Sequence, residues 1–294
     1  MTAGPRAPSR PSVPLPAGAC DTHTHVFGPY DRFPLRFPPK YAAPDAPVEA
    51  HAAMRRAVGL DRAVIVQPAP YAADSAAILD ALAREPDALR GVATATAETP
   101  DEELARWRAA GILGLRFVEV TLPGGGGRYP GAAGFDDLAA LAPRMRAIGL
   151  HAQIWADCAR IAADAGMLCG LGVPVVIEHM GRFEVERGVA DPSFRTLVGL
   201  VAEGRVWIKL APCRTSTRFP DYEDARPFHD ALVAANPDRL LWASDWPHVR
   251  MEDSTPDVGH LVDLFDRWTA RDPVLRRKVF VDNPEALYGF GPRR

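Results

Sequence analysis

The run Asp21-Thr22-His23-Thr24-His25 places two histidines one residue apart. In an extended strand alternate side chains share a face, so His23 and His25 converge. A third histidine closes Val175-Val176-Ile177-Glu178-His179, and an aspartate closes Leu240-Leu241-Trp242-Ala243-Ser244-Asp245. His23, His25, His179 and Asp245 together offer three nitrogens and one oxygen, enough to hold Zn2+ or Mn2+ with a position left for water. Without a metal, the same residues supply a carboxylate base and imidazole donors for a developing oxyanion. Glu178 is expected on the opposite side of a regular strand, away from this chemistry.

These residues need elements that bring them together. Short apolar or β-branched runs recur about every thirty residues, each followed by a turn signal and then helical spacing of apolar positions. Eight strands are expected, over 20–27, 62–68, 89–95, 114–117, 150–156, 173–179, 205–211 and 239–245. Helices are expected over 46–58, 75–84, 100–110, 135–148, 159–171, 193–203, 222–235 and 258–268. Thr99-Pro100-Asp101-Glu102-Glu103 and Asp191-Pro192-Ser193 read as helix starts, with Thr99 and Asp191 as N-caps. Gly59, Gly111, Gly149 and Gly204 fall where left-handed C-caps are wanted.

Eight βα alternations without a linker favour an α/β fold, a single (β/α)8 TIM barrel, in residues 19–294, preceded by a loose tail over 1–18. His23, His25, His179 and Asp245 then fall at C-terminal strand ends, the barrel face where sites are built. The long segments 28–47 and 121–134 lie on that face, and the run Gly124-Gly125-Gly126-Gly127 reads as a flap. It is not a phosphate fingerprint, because no G-x-G-x-x-G opens a helix there.

Composition excludes several classes. In 294 residues, 34 Lys+Arg stand against 37 Asp+Glu for a formal charge of -3, and 47% of the residues are hydrophobic. The cations are scattered, so a nucleic-acid stripe is excluded, and no apolar run of about 18 residues crosses a membrane. Cys20, Cys158, Cys169 and Cys213 form no Cys-x-x-Cys pair, which fits a reducing cytoplasm, and the first 18 residues carry five prolines in place of a signal peptide's apolar core. Trp107, Trp242 and Trp268 read as core, and His51, His151, His229 and His260 as structural or exposed. A homo-oligomer remains open.

The stretches 19–28, Ala63-Val64-Ile65-Val66-Gln67-Pro68, Gly114-Leu115-Arg116-Phe117, Glu178-His179-Met180-Gly181-Arg182, 240–248 and Asp282-Asn283-Pro284 together resemble the amidohydrolase superfamily, in its amidohydrolase family 2 branch. The resemblance runs from about Ala19 to Phe290 and is nearest the subgroup of 2-pyrone-4,6-dicarboxylate and sugar-acid lactonases. It implies Asp245 as the base that takes a proton from water, and His23, His25 and His179 as the groups that polarise a lactone carbonyl. It further implies that Tyr41, Arg116, Arg182, Arg214 and His248 hold substrate carboxylates. The physics agrees, since a planar guanidinium meets a carboxylate through two parallel hydrogen bonds.

Two departures limit the resemblance. Family decarboxylases carry a catalytic histidine on the strand that here reads Val206-Trp207-Ile208-Lys209-Leu210, without one, and the glycine-rich loop after Arg116 leaves the alignment of the lactonases' additional substrate arginine with Arg128 open. The subgroup is metal-independent, which implies no essential cofactor. The expectation is therefore a hydrolase that opens the lactone of a carboxylate-bearing small molecule, a dicarboxylate like that of the 2-pyrone-4,6-dicarboxylate lactonases. Its rivals are a divalent-metal amidohydrolase or decarboxylase, a sugar-acid lactone isomerase, and a non-enzymatic binder of acidic small molecules. The intact base argues against the binder, which needs arginines but no Asp245.

Overall fold

A computed structural model describes residues 4–39, 41–120, 128–251 and 254–291. Eight parallel strands follow one another in sequence order: β1 Cys20–Thr24, β2 Arg62–Val66, β3 Leu89–Ala93, β4 Ile112–Val118, β5 His151–Trp155, β6 Val175–Ile177, β7 Val206–Leu210 and β8 Leu240–Trp242. Closure is made just beyond β8, where Asp245 N donates to the His23 carbonyl and His25 N to the Trp246 carbonyl, both at 2.9 Å. The expected (β/α)8 TIM barrel is the observed fold. The seam that closes it carries three of the four residues expected to act on substrate.

The main helices between strands are α1 Val48–Val58, α2 Ala76–Arg84, α3 Asp101–Ala109, α4 Phe135–Ile148, α5 Cys158–Ala163, α6 Ala165–Gly170, α7 Pro192–Ala202 and α8 Arg226–Ala235. After β8 come α9 Val258–Trp268, α10 Pro273–Arg277 and α11 Asn283–Tyr288. The helix expected over 159–171 is two, because Asp164 leaves helical geometry at ψ 12°. Asp191 caps α7 by accepting from Ser193 N and Phe194 N, as its position suggested. Thr99 does not cap α3: its hydroxyl accepts from Thr96 N, and Pro100 occupies the N-cap position. Gly59 and Gly149 end α1 and α4 in the left-handed region at φ 86° and 71°, which only glycine adopts at little strain.

Strand residues facing outward pack with the helices in one continuous apolar shell that includes Trp107, Trp242 and Trp268. Inside the barrel, a smaller apolar cluster of Cys20, Val64, Val92, Val176 and Leu241 is closed from below by Tyr288 and Phe290 of the C-terminal segment. Above it the interior turns polar, with Lys209, Gln153, Glu178 and Arg116 all buried. Ser9 and Ser12, in the segment read as a loose tail, are tied down by hydrogen bonds to Asp257 and Asp263. The four-glycine run at 124–127 lies outside the described residues. No helix among the described residues is long and apolar enough to cross a membrane.

Candidate active site

A cavity of about 300 Å³ opens at the C-terminal face, at the small end of the range for ligand pockets. Its walls include His25, Tyr41, Arg116, His179, Arg182, Arg214 and Asp245. Seven of the nine residues nominated from sequence therefore meet in one place. His23 lies fully buried beneath it, its Nε2 3.5 Å from Asp245 Oδ1. His248 is not among the lining residues; its buried ring reaches back so that Nε2 donates to the Ser244 carbonyl at 3.1 Å. Burial pushes that imidazole down to about 4.

The convergence depends on local geometry. The register between β1 and β2 shifts between Asp21 and Thr24, and His25 lines the cavity while His23 lies buried beneath it. Asp21 Oδ1 accepts from His23 N and Ser244 N, each at 3.1 Å, pinning β1 to the chain after β8. Asp245 and His179 adopt φ 66° and 49°, left-handed values that cost non-glycine residues energy and gather at functional sites.

The turn at His179 corrects the expectation for Glu178. Alternation along β6 carries Val176 and Glu178 inward, which would send His179 out; the left-handed turn brings His179 back to the cavity. Glu178 is fully buried in the barrel interior, where it accepts from Arg116 Nε at 2.8 Å and Arg116 Nη2 at 2.7 Å. Gln153 Nε2 donates to Glu178 at 2.6 Å, and Lys209 Nζ donates to Gln153 Oε1 at 2.6 Å and to the Thr22 carbonyl at 2.5 Å. Burial lowers the Lys209 ammonium to about 7. The network Lys209, Gln153, Glu178 and Arg116 was not anticipated. Its signal was present in the isolated charge inside Val206-Trp207-Ile208-Lys209-Leu210, which a barrel strand carries inward.

Asp245 is the centre of the charge arrangement. Burial alone would raise its carboxyl, but the Arg214 guanidinium holds it well below the usual carboxylate range. Arg214 Nε donates to Oδ2, leaving Oδ1 to face His25 Nε2 at 3.3 Å. Glu178 is likewise held ionised against its burial, by Arg116 and then by the histidines. Burial lowers His23 and His179, so both sit neutral as hydrogen-bonding imidazoles near neutrality. Cys213 also lines the cavity, but burial raises its thiol to about 12, which removes it as a thiolate nucleophile.

Arg182 Nε donates to Asp157 at 2.9 Å, and the Arg116 and Arg182 guanidiniums lie 5.1 and 5.6 Å from the Trp155 ring centroid. Arg128 pairs with Glu119 at 3.0 Å and does not line the cavity. Among the residues that do, sequence reasoning missed Tyr129, Trp155 and Arg250. They sit on irregular segments or at a strand end, where no period marks a direction.

Residues 20–290 match the family model described as Amidohydrolase. The chain belongs to the amidohydrolase family. It is 36% identical to a 2-pyrone-4,6-dicarboxylate hydrolase of Comamonas testosteroni, over 96% of this chain and 93% of that protein. It is also 36% identical to a 4-sulfomuconolactone hydrolase of Rhizobium radiobacter, over 97% of this chain and 95% of that one. Among solved structures, a putative 2-pyrone-4,6-dicarboxylic acid hydrolase from Pseudomonas putida superposes with a TM-score of 0.79 at 29% identity, covering 95% of this chain and 100% of that chain.

Proposed function

We propose that this protein is a hydrolase that opens the lactone ring of an acid-bearing small molecule, using water activated by Asp245. The observation that carries the reading is a buried carboxylate kept ionised at the cavity floor, with one oxygen held by Arg214 and the other left for a water. Both similar relatives are named as hydrolases, one of a pyrone dicarboxylate and one of a sulfomuconolactone.

Asp245 Oδ1 takes a proton from water as the water oxygen bonds to the lactone carbonyl carbon. The carbonyl becomes an oxyanion, stabilised by imidazole N–H donors at His23 and His179. Collapse of that intermediate breaks the carbon bond to the ring oxygen, and the proton held on Asp245 passes to the departing oxygen. Arg116, Arg182 and Arg214, with Tyr41, surround the ring and hold its acid substituent. The reading moves His248 from holding a substrate carboxylate to orienting the Ser244-Asp245 turn.

The donor set also fits a divalent cation. His25 Nδ1 donates to the Val66 carbonyl at 2.7 Å, so its Nε2 lone pair points at Asp245 Oδ1, and two acceptors at 3.3 Å need a proton or a cation between them. Both His23 nitrogens are buried without a partner among the described residues. His23, His25 and Asp245 would hold the ion, which would polarise the carbonyl or lower the pKa of a bound water. The metal-independent reading is favoured by Arg214 and Arg116, which already balance Asp245 and Glu178.

The test is hydrolysis of a lactone panel, with and without acid substituents, by chelator-treated protein and again with added Zn2+ or Mn2+. Turnover of acidic lactones that survives chelation supports the proposal. Activity that appears only with metal would make the histidines ligands first. Product mass separates hydrolysis, which adds one water, from isomerisation, which adds none.

A further inference from the structure

Lys209 sits where an ammonium is unfavourable. It is fully buried on β7, and both hydrogen bonds it donates go to neutral oxygens, the Thr22 carbonyl at 2.5 Å and Gln153 Oε1 at 2.6 Å. No carboxylate among the described residues forms an ion pair with it, and Glu178 is already matched by Arg116. A buried charge without a counter-charge loses stability that a methionine of similar shape would keep. The layer beneath, with Val64, Val92, Val176 and Leu241, shows that apolar side chains fill this barrel. The effect of Lys209 therefore lies in what it orders.

That order passes along one chain of hydrogen bonds. A side-chain amide accepts through its oxygen and donates through its nitrogen, so fixing one end fixes the other. With Lys209 on Oε1, Gln153 turns Nε2 to Glu178 Oε1 at 2.6 Å; a reversed amide would set oxygen against the carboxylate. Glu178, held in this way, gives one oxygen to Arg116 Nε at 2.8 Å and the other to Nη2 at 2.7 Å. Arg116 lines the cavity, and its Nη1 donates to the Gln67 carbonyl at 3.3 Å. Lys209 and Gln153 are not among the lining residues. The far end of the chain is the Thr22 carbonyl, on the strand that bears His23.

We propose that Lys209 is a positioning residue for the hydrolysis: through Gln153 and Glu178 it fixes the orientation of the Arg116 guanidinium at the cavity wall without itself meeting substrate. This rests on the lactone-hydrolase reading above and extends it into the barrel interior. A binding group displaced by a change one or two residues away loses much of its effect, because the bound geometry is what the site supplies.

The experiment is a pair of double-substitution cycles, Lys209→Met with Arg116→Met and Gln153→Met with Arg116→Met. Each is read in kcat and KM for an acidic lactone, below the unfolding transition of every variant. Lys209→Met and Gln153→Met should each lower kcat/KM about 10- to 100-fold, chiefly through KM, the scale of a remote misplacement. With Arg116 already replaced, either should add less than about threefold, since members of one hydrogen-bond network are not additive. Gln153→Met leaves Lys209 in place and cuts the same chain should Lys209→Met fail to fold. Exchange of the Arg116 Nε–H with solvent, followed by NMR and assigned by its loss in Arg116→Met, should quicken in both variants. Equal losses with and without Arg116 overturn the proposal and leave the hydrolase reading standing. So does a lowered unfolding midpoint with kcat/KM and exchange at wild-type values, the mark of a purely structural lysine. A wild type that opens no acidic lactone overturns the hydrolase reading, and the exchange rates then decide the positioning by themselves.

Discussion

The buried carboxylates of Asp245, at the seam between β1 and β8, and of Glu178, at the end of β6, each meet a guanidinium from within the protein, whereas at the rim formed by Tyr129, Trp155 and Arg250 no carboxylate among the described residues pairs with Arg250. The seam is built from residues on or next to strands, and its hydrogen bonds also close the barrel. The rim is built from connections and carries no such duty. A site divided this way keeps one reaction while the rim changes which molecule reaches it, since loops on a fixed scaffold vary most freely.

The sharpest break in that contrast is Asp245→Asn, which removes the base and leaves the shape. Turnover of an acidic lactone should fall about 10³- to 10⁴-fold, the scale of a lost general base, with the circular dichroism spectrum unchanged. A variant within tenfold of wild type would move the base elsewhere.

Next comes Glu178→Gln, which leaves Arg116 buried without its counter-charge. Stability in a urea titration should drop by about 3–5 kcal/mol, as for a broken buried pair. A loss below about 1 kcal/mol would mean that water already screens the pair.

Acid should expose the same asymmetry. The folded pKa values of Asp245 and Glu178 lie below the ordinary 3.8 and 4.5, so their stabilisation is fully present above those values and is lost as pH falls through the lower folded ones. Thermal unfolding midpoints should therefore decline on acidification below that range. The acid limb of kcat/KM set by Asp245 should likewise lie below 3.8, leaving no aspartate limb near neutrality. A limb assigned to Asp245 near pH 6 would contradict the charge arrangement described.

The smallest effect belongs to the rim. Asp157→Asn breaks an ion pair with Arg182 in which the carboxylate is 52% exposed, so stability should change by less than about 1 kcal/mol. KM for an acidic lactone should fall or stay level as Arg182 is freed. A stability loss like that of Glu178→Gln would erase the distinction between the regions.

The legibility of this protein in its sequence follows the same division. His23, His25 and Asp245 were readable because they end strands with strong apolar patterns. His179 was found for a reason that was half wrong. The alternation that seemed to point it inward points Glu178 inward, and the left-handed turn at φ 49° reverses the pair. No period in the sequence encodes that turn. Arg250 and Tyr129 were invisible because nothing periodic fixes where a loop side chain lands.

By itself, the sequence determined eight βα units, the barrel they close, and the set of imidazole and carboxylate groups at strand ends, because burial on both faces of parallel strands writes an apolar pattern that survives without coordinates. Only the tertiary structure decided which arginine answers which carboxylate, that Lys209 and Gln153 stand behind Glu178, and that Arg250 comes to the cavity wall. Ion pairing is a matter of distances between residues as far apart in the chain as Arg116 and Glu178, and spacing along a chain carries no information about a gap that the fold closes to 2.7 Å.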